Sequence, residues 1–477
     1  MRTQRLNGWW PLAAITLLAA VLRFATLDLQ SFWYDEAFTP VHVLHQGLAA
    51  TLRAVSHTEN TPPLWYVLIW GWSRIWGTGE VALRSLSALA GVLTVPVAWG
   101  IGCELAGRRA ALVAATLVAV NPLFVWYSQE ARAYSLFTLL AGLAMLCFLR
   151  ALREPTTRRL AAFAVAGALA LLTHYFAVFL LAPMCVWLLL AGYRERRYLA
   201  LAAVGAVGVV GVALIPLIVA QGGHGTQWIG RWALSSRLEA IPQYFLTGYS
   251  GAPLGHGLEL FVALLVLVGI GYGLWCVLEP REERGALIAL ALSACGVLIP
   301  IALVASGADY LAPRNLLAAM IPLTVLIAVV IVANRSGRVG MAIAGLIALA
   351  FLAISIDINL SPRLQRGDWR GIARAISLPR VITTVELGAA PLEYYLPPLH
   401  NLARGAIIKT SEIDETGYAP LRPGAGLPPV PGFHLVQRRN IHGLILYRFV
   451  SSIARPVSEI ALRRHVITEA HPEVLVR

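Results

Sequence analysis

The sequence predicts a mainly α polytopic membrane helical bundle of about eleven spans, with outer-face juxtamembrane helices and a small C-terminal α/β extracytoplasmic domain. Three observations carry that prediction. Of 477 residues, 58% are hydrophobic and only 13% charged, where a soluble chain carries about 25% charged. Apolar runs of about 20 residues recur along most of the chain. From Ser361 onward, prolines, charges and short alternating runs replace them. This composition excludes an ordinary water-soluble globule. It also excludes a disordered chain, which would be polar.

The elements follow in order from the arginines. The net charge is +13, and the basic residues cluster between apolar runs. The clusters are Arg2/Arg5, Arg108/Arg109, Arg150/Arg153/Arg158/Arg159, Arg194/Arg196/Arg197, Arg281/Arg284 and Arg335/Arg338. That pattern fits the positive-inside rule and not a nucleic-acid surface. With the clusters cytoplasmic, crossings between successive clusters must be even in number. Residues 9–27 rise as an uncleaved first span from a cytoplasmic N-terminus, and 81–103 return. Residues 62–76 would make a helix of only ~22 Å, too short to span, and would break the parity. They read as a juxtamembrane or re-entrant helix on the outer face. Residues 105–127 rise and 134–149 descend, so 128–132 face outward. Runs 160–172 and 176–190 form a hairpin with His174 at its outer tip. The remaining spans are 199–220, 258–278, 286–305, 312–333 and 339–356, which leaves the C-terminus outside.

Two features read as structural. Cys103, Cys147, Cys185, Cys276 and Cys295 lie in or beside apolar runs with no CxxC pair, as small buried hydrophobes. Gly205, Gly208 and Gly211 sit inside an apolar span, where small residues permit close helix packing and no strand–turn–helix context supports a nucleotide loop. Residues 361–477 read as a separate domain, with a helix at 367–376, strands at Val381–Val385, 406–408, 434–436 and 444–449, and a basic tail after Arg455. Residues 1–360 form the transmembrane domain.

The acids are few, and ionisable groups near apolar spans tend to be functional. The threading puts four polar groups on one face. They are Asp35-Glu36 after the first span; His57-Thr58-Glu59-Asn60 before Pro62; Gln129-Glu130-Ala131-Arg132-Ala133-Tyr134 between two spans; and His174-Tyr175, with Arg314 opening a later span. Carboxylates bind divalent cations or deprotonate hydroxyls, and arginine forks match phosphate oxygens. Acids with arginines at head-group level suit a phosphorylated lipid. A transporter or flippase of a lipid-linked substrate is the alternative reading; it expects charges at the bilayer midplane and repeated halves, neither of which is visible.

The same residues carry a family resemblance. Asp35-Glu36, Glu59-Asn60-Thr61-Pro62-Pro63-Leu64-Trp65, Leu83-Arg84-Ser85-Leu86-Ser87-Ala88, Ser128-Gln129-Glu130-Ala131-Arg132-Ala133-Tyr134 and Thr173-His174-Tyr175 resemble the GT-C membrane glycosyltransferases, in the branch of the protein O-mannosyltransferases and the lipid-A aminoarabinose transferases. The resemblance implies a sugar donor on a polyprenyl phosphate, used outside the cytoplasm, with no nucleotide cofactor. It implies a membrane-lipid setting and a glycan, lipid or protein acceptor. On that footing Asp35 is the expected general base of an inverting transfer. Glu36 and Glu130 would hold a divalent cation (Mg, Mn or Zn) or orient Asp35. Arg132 and Arg314, with His174 in support and Arg84 as a further candidate, would bind the donor phosphate. His57, Glu59, Asn60, Gln129, Tyr134 and Tyr175 would line the substrate pocket.

Overall fold

A computed structural model describes residues 9–191, 196–224, 226, 228–248, 256–376, 381–465, 467–468 and 471–477. Arg2, Arg5 and Arg194 of the basic clusters lie outside the described residues. In chain order the helices up to residue 360 are α1 Trp10–Phe24, α2 Tyr34–Phe38, α3 Leu48–Thr58, α4 Leu64–Trp76, α5 Glu80–Leu105, α6 Arg108–Val120, α7 Pro122–Ser128, α8 Tyr134–Arg153, α9 Thr157–Thr173, α10 Ala177–Leu190, α11 Arg197–Ala213, α12 Ile215–Gln221, α13 Leu234–Thr247, α14 His256–Trp275, α15 Pro280–Ala305, α16 Leu317–Ile331 and α17 Gly337–Leu360. Every run expected to cross a membrane contains a helix. Among the described residues, 7 helices are long and apolar enough to cross, or 8 if the bent pair α6–α7 is one span; α1 and α10 are shorter. Length and apolarity thus support fewer certain crossings than the eleven expected.

The chain divides into two compact units, Met1–Leu27 with Gln46–Leu360, and Asp28–His45 with Ser361–Arg477. The expected boundary at residue 360 had placed Asp28–His45 with the spans. Its hydrogen bonds explain the difference. The Ser31 hydroxyl donates to the Gly367 carbonyl at 2.9 Å, and the Phe32 N–H donates to the Tyr395 hydroxyl at 2.8 Å. The Arg366 N–H donates to Gln30 Oε1 at 2.9 Å.

In the first unit α5 packs against α1, α6 and α8. The basic clusters meet at one end of these helices. Arg150 and Arg153 pair with Glu104, Arg281 donates to the Cys103 carbonyl at 2.8 Å, and Arg109 donates to the Gly337 carbonyl. The chain between α6 and α7 bends by 55°. Pro122 has no N–H for the Val118 carbonyl four residues back. Arg23 of α1, fully buried, supplies the missing donor: Nη2 reaches Val118 O at 3.0 Å and Nη1 reaches Ala119 O at 2.8 Å. Asn121 caps α7 by accepting the Leu123 and Phe124 N–H groups. Arg23 Nε also donates to Ser128 Oγ at 3.1 Å. Gly91 lets α5 approach this point, since a Cβ there would lie 2.0 Å from Ser128 Oγ.

Two expectations change. Gly205, Gly208 and Gly211 do not serve close packing, because nothing lies within 4 Å of a Cβ built at any of them. Their helix pair is only 17% buried, so this face meets no other described helix. The cysteines are half-buried and free, not fully buried.

The second unit adds α18 Trp369–Ala375, β1 Val381–Val385, α19 Glu386–Tyr395, β2 His400–Asn401, β3 Ile407–Tyr418, β4 His434–Ile441, β5 Leu444–Ser458, α20 Glu459–Arg464 and β6 Pro472–Val476. The strands form one sheet in the order β2-β6-β1-β3-β5-β4. β1 and β3 are parallel, and β6 runs antiparallel to β1 with Val381 opposite Val476. The expected basic tail is therefore folded. Arg455 lies inside β5, and Val474 and Leu475 are fully buried. Apolar side chains close both faces, with Phe433, Phe449 and Ile413 on one and Trp369, Ile382 and Leu392 on the other.

Candidate functional site

The polar residues of the first unit gather at the end of the helices away from the arginine clusters. Helix α8 shows this directly, with Tyr134 at its start and Arg150 and Arg153, the partners of Glu104, in its last turn. Glu59 closes α3 and Arg132 precedes α8. They meet as a bidentate pair, with Arg132 Nη1 to Glu59 Oε1 at 3.1 Å and Nη2 to Oε2 at 2.8 Å. Both residues are buried, so the guanidinium neutralises the carboxylate away from bulk water. Tyr66 on α4 shares this nest. Its hydroxyl lies 3.1 Å from Thr61 Oγ1, and burial holds its phenol well above the usual range. Ser87 donates to the Arg132 carbonyl at 3.2 Å.

His174, in the α9–α10 connection, stacks on Phe137 with centroids 4.6 Å apart. Its Nδ1 accepts the Phe176 N–H at 3.2 Å, which assigns the proton of the neutral ring to Nε2. Burial lowers this imidazole to about 3, and the charges of Arg314 and Arg132 push the same way. His174 is therefore a neutral hydrogen-bond donor beside two cations. Arg314 lies over the rings of Tyr134, at 5.8 Å, and Trp228, at 5.0 Å.

Other expected residues hold the scaffold. The Gln129 amide donates to Thr26 Oγ1 at 2.7 Å and to the Leu22 and Arg23 carbonyls. Arg84 is buried and donates to the Leu27 carbonyl at 2.8 Å. Tyr175 donates to Gln221 Oε1 at 2.7 Å. Glu130 is buried in the turn before Arg132. His57 is exposed and Asn60 half-buried.

Asp35 and Glu36 belong to the second unit and lie on the single turn α2. Asp35 is half-buried; Glu36 is fully buried, its Oε2 4.0 Å from Arg366 Nε. Among the described residues no three His, Cys, Asp or Glu side chains gather to hold a metal. Glu36 and Glu130, expected as cation ligands, join no such group among the described residues.

Three positions carry no role in the sequence reading. Gln221 donates to the carbonyls of Val55 and Thr61, both at 3.0 Å, bracketing Glu59. Arg237 clamps Asp309, with Nη2 to Oδ2 at 2.8 Å, beside the segment that leads to Arg314. Arg23 completes the bend. Gln221 at the edge of an apolar run and Arg23 inside one carry the signal of a lone polar residue in an apolar setting; Arg237, in a polar connection, carries none.

Residues 60–219 match the family model described as dolichyl-phosphate-mannose-protein mannosyltransferase. No curated protein matches the chain by sequence. Among solved structures, ArnT from Cupriavidus metallidurans bound to undecaprenyl phosphate aligns at TM-score 0.56 and 16% identity, covering 94% of this chain and 100% of that one. Archaeal oligosaccharyltransferase AglB from Archaeoglobus fulgidus, in complex with an inhibitory peptide and a dolichol-phosphate, aligns at TM-score 0.51 and 15% identity, covering 82% of this chain and 60% of that one. The chain has the fold of the GT-C membrane glycosyltransferases. Within that class it resembles the protein O-mannosyltransferases and ArnT.

Proposed function

We propose that this protein is an inverting glycosyltransferase that moves a sugar from a polyprenyl phosphate to an acceptor hydroxyl on the extracytoplasmic face of the cytoplasmic membrane. The observation that carries the reading is the buried cluster of Arg132, Glu59 and His174, with the half-buried Arg314 beside it, at the helix ends remote from the basic clusters. Under the positive-inside rule those ends face away from the cytoplasm, where nucleotide sugars are absent and a lipid-borne donor is needed. The match over residues 60–219 includes Arg132 and His174 of this cluster. The undecaprenyl phosphate on ArnT and the dolichol-phosphate on AglB give the donor class.

In the proposed reaction Asp35 removes the acceptor proton as the hydroxyl oxygen attacks the anomeric carbon. The bond from that carbon to the phosphate oxygen breaks, and the lipid phosphate leaves with the electron pair. Arg314 and Arg132 offset the charge on the leaving phosphate, and His174 donates a neutral hydrogen bond from Nε2. Glu36, held by Arg366, orients the turn that carries Asp35. Tyr134 and Tyr175 with His57 and Asn60 contact sugar or acceptor. Glu59 sets the position and charge of Arg132. Gln129, Arg84 and Glu130 fix the backbone around it.

The test is Asp35→Asn. Transfer from a polyprenyl-phosphate sugar falls by about 10²–10⁴, while expression and membrane insertion match the native chain. Full transfer in this variant removes Asp35 from its role. Mass spectrometry of envelope glycans from cells with and without the protein identifies the sugar and the acceptor.

A further inference from the structure

The second unit holds a cavity of about 400 Å³ lined by Arg404, Gly405, Glu459, Ile460, Arg463 and Arg464. None of the residues assigned to sugar transfer lines it. Its back wall is fixed. Gly405 turns the chain with φ 73° and donates its N–H to Glu459 Oε2 at 3.0 Å. Glu459 is 2% exposed and pairs with Arg463, one turn along α20. Arg463 also reaches the Pro472 carbonyl and, at 3.2 Å, Glu473. The buried carboxylate is thus already balanced.

Arg404 and Arg464 remain. Both are exposed, and the charge of Arg404 acts on the Glu459 carboxylate together with that of Arg463. The lining therefore carries three guanidinium groups against one carboxylate. Like charges on one open wall repel, and an anion bridging them relieves the repulsion. Each guanidinium is a planar donor fork, suited to multi-oxygen anions and phosphate above all. The volume exceeds a bare phosphate and falls within the range of small-ligand sites.

We propose that this cavity is a binding site for a phosphate-bearing anion, held between Arg404 and Arg464. The ligand chemistry is a phosphate ester, supplied either by a lipid head group or by a soluble phosphorylated molecule. The proposal is independent of the transfer reaction.

The experiment titrates the full-length protein, in neutral detergent at constant ionic strength, with inorganic pyrophosphate and follows binding by calorimetry. The native chain shows saturable one-site binding. The double variant Arg404→Gln/Arg464→Gln, altered only at exposed positions, weakens it by about tenfold or more. Arg438→Gln/Arg439→Gln, which removes two exposed charges from β4, leaves it unchanged. Absence of saturable binding to the native chain, an unaffected double variant, or equal weakening in the β4 variant each overturns the proposal. Displacement of pyrophosphate by dihexanoyl phosphatidylglycerol assigns the ligand to lipid head groups; displacement by glycerol phosphate alone assigns it to soluble esters.

Discussion

At the scale of single residues, burial decides what each charge can do. Glu59 and Arg132 are a desolvated pair with both oxygens engaged. Glu59→Gln withdraws the charge that balances Arg132, and breaking a buried pair from one side costs about 3–5 kcal/mol. Chemical denaturation in detergent should register that loss, and Glu59→Asp should recover part of it. An unchanged midpoint in the Gln variant excludes a stabilising pair. A second buried acid predicts a pH effect. Burial raises the Glu415 carboxyl to about 7 from an ordinary 4.5, against the opposing pull of His465, whose Nδ1 lies 2.9 Å from Oε1. The same bond raises His465. Between pH 4.5 and about 7 the folded unit binds more protons than the unfolded chain. Stability is therefore full below that window and declines as pH climbs through it. Glu415→Gln should flatten most of the decline and leave the smaller slope of Asp414, raised to about 6 by burial. An undiminished slope in unfolding scans at pH 5 and pH 8 overturns this assignment.

At the scale of elements, the bend between α6 and α7 sets the polar turn that follows it. Arg23 occupies the carbonyl that Pro122 cannot serve, and Gly91 leaves room for Ser128. Gly91→Ala forces Ser128 aside, an overpacking cost of about 1–3 kcal/mol. It should lower the melting temperature and reduce transfer, because Arg132 lies four residues beyond Ser128. A melting temperature equal to the native value shows that the turn adapts freely. Much of this layer was legible beforehand. Apolar runs placed the helices, and the run at Val381–Val385 marked β1 at its observed bounds. The sequence marks strand β3 only at 406–408, since Asp414, Glu415 and Thr416 look like a loop until Arg448, His465 and Thr384 satisfy them. The candidate site was legible as residue types, but not as pairs. Glu59 and Arg132 stand 73 positions apart, and no local pattern joins them. Gln221 acts through backbone carbonyls, which have no sequence signature.

At the scale of the whole molecule, the sheet of the second unit depends on the last strand of the chain. β6 lies between β2 and β1, with Val474 and Leu475 buried. Removing residues 472–477 strips the hydrogen-bond partners from one side of β1 and opens both apolar faces. Limited proteolysis of the shortened chain should cut rapidly after residue 361, while fragments from α5 through α10 persist. Equal protection of the second unit would show that β6 is dispensable.

The early segment Asp28–His45 belongs to that same unit through Ser31, Phe32 and Glu36. Its lodging is assembled from residues translated more than three hundred positions later. A ribosome must therefore pass residue 361 before Asp35 acquires its final surroundings. Until then a nascent chain carries that carboxylate in an unbuilt frame.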